Sequence, residues 1–220
     1  MENNNKKLTT VLIIYSVLLY AAWAVYELLI VPYYKAGAGE TLFRILDSAV
    51  VKTAVWTVPA FLLIMHFNAD VSVPVREMFS FRRGWKTLLT ALVPMTAYIL
   101  LVAWKTKGGI SISGQIPVNT LIFLFVGFNE EMVFRGWLFN ATVREDSPWP
   151  AYALNAVMFV LIHFPKWIAD GVLLTNILSA GFIIIAMLSV LFAWTFRKTR
   201  NILVPAFLHF WWDLLITLLT

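Results

Sequence analysis

Apolar residues run along this chain in long blocks separated by short polar stretches. The blocks are Leu8–Val31, Ala49–Phe67, Trp85–Val102, Pro117–Phe139, Pro150–Ile168, Leu173–Phe196 and Ile202–Leu219. Each is near the ~20 residues that an α-helix needs to cross a hydrocarbon core. The pattern predicts an all-α fold: a polytopic transmembrane bundle of about seven spans, forming one integral-membrane domain over residues 1–220. The polar start Met1–Lys7 followed by an apolar run resembles a signal peptide. A signal peptide's apolar region is usually about 7–15 residues, and this run continues well beyond that, so a retained first helix is expected. Between Val31 and Ser48, Leu42, Phe43, Ile45 and Leu46 alternate with Arg44 and Asp47, which predicts a short interfacial helix.

Composition says which solvent this pattern serves. The 220 residues are 60% hydrophobic and 13% charged, and mean hydropathy is +0.79. A soluble domain carries about 45–50% apolar and about 25% charged residues. The absence of cysteine excludes a disulfide scaffold, a thiol nucleophile and a thiolate metal site. The net charge of +5 does not point to nucleic acid, because the basic residues flank apolar blocks. The expected environment is a lipid bilayer, and the small size suggests a bacterial cytoplasmic membrane.

Orientation follows from where the basic residues fall. With the amino terminus inside, the inner segments hold ten Lys and Arg: Lys6, Lys7, Arg76, Arg82, Arg83, Lys86, Arg144, Arg197, Lys198 and Arg200. The outer segments hold five: Lys35, Arg44, Lys105, Lys107 and Lys166. The positive-inside rule therefore expects a cytoplasmic amino terminus. Trp85, Trp104, Trp149 and Trp194 sit at span ends, as interfacial tryptophans do.

Ionisable groups within spans cost about 2.5–3.5 kcal/mol each on insertion scales, so each needs a reason. Glu27, Lys52 and His66 lie near span ends and are read as reaching the interface. Glu130, Glu131, Arg135, His163, His209 and Asp213 are not peripheral. Glu131 and Arg135 are four apart and can pair on one helix face. Glu130 is rotated by about 100° and has no partner on its own helix, so it should meet a cation or a metal from another one. His209 and Asp213, also four apart, suit two metal ligands or a base and its orienter. At 1.5 Å per residue, Glu130, His163 and His209 lie roughly 14, 20 and 10 Å from the cytoplasmic helix ends. That puts the polar groups at overlapping depths in the cytoplasmic half to middle of the bilayer. Trp211 and Trp212, beside His209, are candidates for walling the pocket.

These residues form a pattern: EExxxR at Glu130–Arg135, FxxxH at Phe159–His163 and HxxxD at His209–Asp213. In this order on successive apolar blocks, they resemble the CPBP family of intramembrane proteases (CAAX protease and bacteriocin-processing enzymes, also called Abi). Asn201–Pro205, leading into His209, is similar to that family's approach to its last motif. The resemblance implies an endopeptidase whose site lies in the membrane and is reached from the cytoplasmic side. It makes Glu130 the catalytic glutamate and His163 and His209 the essential histidines. Glu131 and Arg135 would shape the site, and Asp213 takes the place of an Asn common in the family. An ionised carboxylate cannot donate to an oxyanion, so Asp213 suits metal binding or histidine orientation better.

Two forms of the mechanism stay open. In one, His163, His209 and Asp213 hold a divalent metal, zinc being the expectation, with an open position for water. In the other, Glu130 and the histidines activate water without metal. Absent motifs exclude other classes: there is no HExxH and no GxSG. Ser111 and Ser113 fall between spans, and Gly37–Glu40 only superficially resembles GxGD. The expected partner is a peptide or membrane-protein substrate. No GxxxG marks a helix-pairing face, so oligomeric state is open. The alternative function is a non-catalytic membrane immunity or scaffold protein that uses the same cluster structurally.

Overall fold

The computed structural model describes residues 2–80, 83–109, 112, 115–179 and 181–219. Arg82, Ser111 and Ser113, considered above, lie outside these residues. Six helices are long and apolar enough to cross a membrane: α1 (Lys6–Lys35), α2 (Glu40–His66), α3 (Trp85–Lys107), α4 (Ile116–Thr142), α5 (Trp149–Ala169) and α6 (Gly181–Thr199). A seventh apolar helix, α7 (Leu203–Leu219), is shorter. The polytopic all-helical bundle expected from the hydropathy pattern is present.

Two boundaries differ from expectation. No interfacial helix separates the first two spans. Helical structure runs to Ala38 and resumes at Glu40, with Gly39 at φ 76° as the turn between them. That φ belongs to glycine, which carries no Cβ to clash. The expected sixth span is divided into a short helix, Leu173–Leu178, and α6.

Pairings along the helices fix their directions. Tyr34 packs on Phe43, the Tyr26 hydroxyl donates to Asp47 Oδ1 at 2.8 Å, and Trp23 packs on Trp56. These contacts nest inside one another, so α1 and α2 form an antiparallel hairpin. The Tyr20 hydroxyl reaches the Met158 carbonyl at 2.5 Å, which sets α5 alongside α1.

The closest approach in the bundle is between α4 and α7. A Cβ on Gly127 would stand 2.8 Å from both the Ala206 carbonyl oxygen and the Phe210 backbone nitrogen. Only glycine lets the two backbones come this near. The contact brings the carboxylates of α4 opposite His209.

Polar side chains lock the remaining helices. Asn129 on α4 donates to the Ser48 carbonyl at 2.8 Å and accepts from Thr57 at 2.5 Å, which fixes α2 against α4. At the end of the bundle bearing the amino terminus, Asn140 exchanges bonds with the Val73 backbone at 2.6 and 2.8 Å. There Arg200 binds Glu77 at 2.8 Å, and Asn201 donates to the Ser80 and Arg83 carbonyls. The Arg200 hydrogen bond and charge hold the Glu77 carboxyl below its ordinary value. Trp85, Trp104 and Trp149 are exposed near helix ends, and His66 is exposed at the end of α2.

Candidate active site

Four of the six candidate residues line one cavity of about 580 Å³: Glu130, His163, His209 and Asp213. Glu131 and Arg135 lie behind it, each with no exposed surface. Three features of the local sequence place them.

First, α4 widens after Glu131. Residues Met132–Phe139 adopt π-helical turns, a form found often at functional sites. One carbonyl in this stretch, that of Phe134, accepts from Asn155 on α5 at 2.8 Å. Second, α5 breaks at His163. Pro165 has no N–H to give the Leu161 carbonyl, so the regular ladder stops and restarts at Phe164. Third, Pro205 sits in the first turn of α7, one turn before His209, where its missing N–H costs nothing.

Behind the cavity, Glu131 Oε1 accepts from Arg135 Nη1 at 2.9 Å and from His209 Nδ1 at 2.8 Å. The guanidinium also donates to the Ser189 carbonyl at 3.1 Å and lies over the Phe159 ring at 4.3 Å. The pairing expected from the four-residue spacing is present. Its further consequence is that Glu131 holds the His209 ring through Nδ1. The opposite nitrogen, Nε2, then faces the cavity, 3.4 Å from Asp213 Oδ2 and 3.9 Å from Glu130 Oε2. His163 is held in the same fashion: Nδ1 donates to the Phe159 carbonyl at 2.7 Å, leaving Nε2 free. Phe159 separates the two imidazoles and packs edge-on against both.

Glu130 meets the cation that its lone position required. Lys52 Nζ on α2 stands 2.8 Å from Glu130 Oε1, with both side chains almost fully buried. The ammonium also lies 5.0 Å from the Trp56 ring centroid and 5.4 Å from that of Trp23. This corrects the reading of Lys52 as an interfacial residue. The lysine is 13 positions into α2 and points inward, which hydropathy alone does not reveal. The sequence signal was present nonetheless: an unpartnered intramembrane carboxylate and an intramembrane lysine demand each other. Glu27, also read as interfacial, is buried in the cavity wall. Trp211 and Trp212 do not wall the cavity. Trp211 donates to Thr96 on α3 at 2.9 Å, and Trp212 stacks on Tyr98.

The other carboxylate oxygen of Glu130, Oε2, is buried and has no hydrogen-bond partner among the described residues. A buried acceptor left open at a cavity is a seat for water. Among the described residues, no three His, Asp or Glu side chains gather into a group that could hold a metal ion. His163, His209 and Asp213 line one cavity without closing on one point, and the Lys52 ammonium occupies Glu130 Oε1.

The class that this arrangement defines is a membrane-embedded acid–imidazole site carried by α2, α4, α5 and α7. Comparison with known proteins agrees with it. The family model for type II CAAX prenyl endopeptidase Rce1-like proteins matches residues 112–215, the stretch that holds all three motifs. The match covers just under half of the chain and agrees with the family resemblance drawn from those motifs. No curated protein and no solved structure matches the chain.

Proposed function

We propose that this protein is an intramembrane endopeptidase in which Glu130 activates a water molecule for peptide hydrolysis. The observation that carries this reading is the division of labour at Glu130. Lys52 occupies Oε1, while Oε2 is buried, has no hydrogen-bond partner among the described residues and lies 3.9 Å from His209 Nε2 in the wall of the cavity that His163 also lines.

In the proposed reaction, water lodges between Glu130 Oε2 and Nε2 of His163, beside His209. Glu130 takes a proton as the water oxygen bonds to the scissile carbonyl carbon. His163 Nε2, unprotonated while Nδ1 donates to the Phe159 carbonyl, accepts the other hydrogen of the water. When the C–N bond breaks, the proton passes from Glu130 to the leaving amine. Glu131 keeps His209 in the tautomer that aims Nε2 at the cavity, and Arg135 offsets the charge of Glu131. Asp213 Oδ2, 3.4 Å from His209 Nε2, orients that ring when Nε2 carries a proton. Lys52 offsets the charge of Glu130, which would otherwise be too costly to bury.

No step in this scheme passes through a metal, because the donor set is not gathered for one. Purified, active protein is expected to contain no stoichiometric zinc and to keep its activity in chelator. One zinc per chain, lost together with activity on chelation, would instead support a ligand set of His163, His209 and Asp213.

The substrate class is a peptide segment held at the membrane. The test is a screen of membrane-proximal peptides against the reconstituted full chain, with products read by mass spectrometry. Cleavage by wild type and not by Glu130→Gln supports hydrolysis. If Glu130→Gln leaves the biological activity intact, the non-catalytic scaffold reading takes its place.

A further inference from the structure

The cavity has a mouth, and its position bears on what can enter. Its deep wall is Lys52, Glu130, His163, His209 and Asp213. Its outer wall is Lys35 at the end of α1, Glu40 and Arg44 at the start of α2, and Lys166 and Asp170 at the end of α5. Lys35, Glu40, Lys166 and Asp170 are exposed, so the cavity opens there. The α1–α2 hairpin and the parallel course of α5 put all of these residues at the end of the bundle opposite the amino terminus.

The other end carries Lys6, Lys7, Arg76, Arg83, Lys86, Arg144, Arg197, Lys198 and Arg200, none of which lines this cavity. The mouth and the strongly basic face are thus on opposite sides of the bundle. A cytoplasmic amino terminus and a cavity reached from the cytoplasm, both expected from the sequence, do not go together in this fold. The excess of Lys and Arg in short loops is the feature that sets orientation during insertion.

We infer that the basic face is cytoplasmic and that the catalytic cavity opens to the extracytoplasmic side. The substrate of the site proposed above is then a peptide segment displayed on the outer surface of the membrane. It would be a secreted or membrane-anchored chain after translocation, not one still in the cytoplasm. The substrate assignment rests on the hydrolytic reading; the orientation stands on geometry and charge alone. The mouth has both signs of charge, Lys35, Arg44 and Lys166 facing Glu40, Asp47 and Asp170. That mixture suits a polar peptide backbone and flanks better than a strongly charged ligand of one sign.

The chain has no cysteine, so single-cysteine variants report accessibility without background. In full-length protein, Glu40→Cys and Lys166→Cys mark the mouth, and Lys198→Cys marks the basic face. A membrane-impermeant maleimide is applied to intact spheroplasts and to lysed membranes. Glu40→Cys and Lys166→Cys are expected to label in intact spheroplasts, and Lys198→Cys only after lysis. The reverse pattern, or equal labelling of both faces, overturns the inference. The two mouth variants are independent, so misfolding of one leaves the test in place. The labelling does not depend on proteolysis. If Glu130→Gln preserves cleavage, the hydrolytic reading fails while orientation stands. If mouth cysteines label only from inside, orientation fails while hydrolysis stands.

Discussion

Two polar clusters hold this bundle together, and they are built on different terms. At the amino-terminal end, the half-buried pair Arg200 and Glu77 and the buried Asn201 and Asn140 tie loops to helices. There Asn201 and Asn140 donate to the backbone carbonyls of Ser80, Arg83 and Val73. In the middle of the bundle, Lys52, Glu130, Glu131, Arg135 and His209 are almost fully buried, and two carboxylate oxygens, Glu130 Oε2 and Glu131 Oε2, have no hydrogen-bond partner among the described residues. A cluster whose only task is to join helices gains by satisfying every atom, since each buried unsatisfied group costs about 1–3 kcal/mol. The inner cluster bears that cost at Glu131, behind the cavity, and at Glu130, in the cavity wall. Structural glue looks like the first cluster; a reaction site looks like the second.

Substitutions that separate joining from reacting sharpen this comparison. The largest effect on rate is expected for Glu130→Gln, which keeps shape and removes the base. Cleavage should fall by about 10²–10⁴-fold, with unfolding in detergent little changed. Arg135→Ala should instead act through stability. It leaves Glu131 buried without its cation, at a cost of about 3–5 kcal/mol, read as a lower unfolding midpoint. Lys52→Met should likewise lower the unfolding midpoint, because Glu130 loses its cation, and should lower the rate by about 10²-fold as Glu130 is poorly held, with partial recovery of both in Lys52→Arg.

Smaller effects are expected at the helix contact and in the outer cluster. Gly127→Ala forces a Cβ into the backbone of α7. Overpacking of this kind costs about 1–3 kcal/mol, and the shift of His209 should reduce the rate as well. Glu77→Gln should leave cleavage unchanged. Because Arg200 depresses the Glu77 carboxyl below its ordinary 4.5, their contact contributes fully above that pH and fades as pH falls beneath it. Protection of the 72–80 amides, taken relative to their intrinsic exchange rate at each pH, should fall on acidification across that window in wild type and stay constant in Glu77→Gln.

Much of this was legible in the sequence because the bilayer imposes simple rules. Apolar block length located the helices, and the cost of burying charge singled out Glu130, Glu131, Arg135, His163, His209 and Asp213. The i,i+4 spacing of Glu131 and Arg135 foretold their pairing. Periodicity within one helix could not say which residue on another would answer Glu130, so Lys52 was taken for an interfacial lysine. It could not show that Gly39 alone turns α1 into α2, because a single glycine between two apolar helices leaves no polar stretch to mark. Nor could it show which end of the cavity is open, since that depends on how α1, α2 and α5 lean together.

The central claim is that Glu130 acts on water and does not merely join helices. Its most direct test compares wild type and Glu130→Gln in one reconstituted preparation, measuring cleavage rate and unfolding midpoint together. The account predicts that cleavage is lost while the midpoint holds. Equal cleavage by the two proteins, or loss of both folding and cleavage in Glu130→Gln, would contradict it.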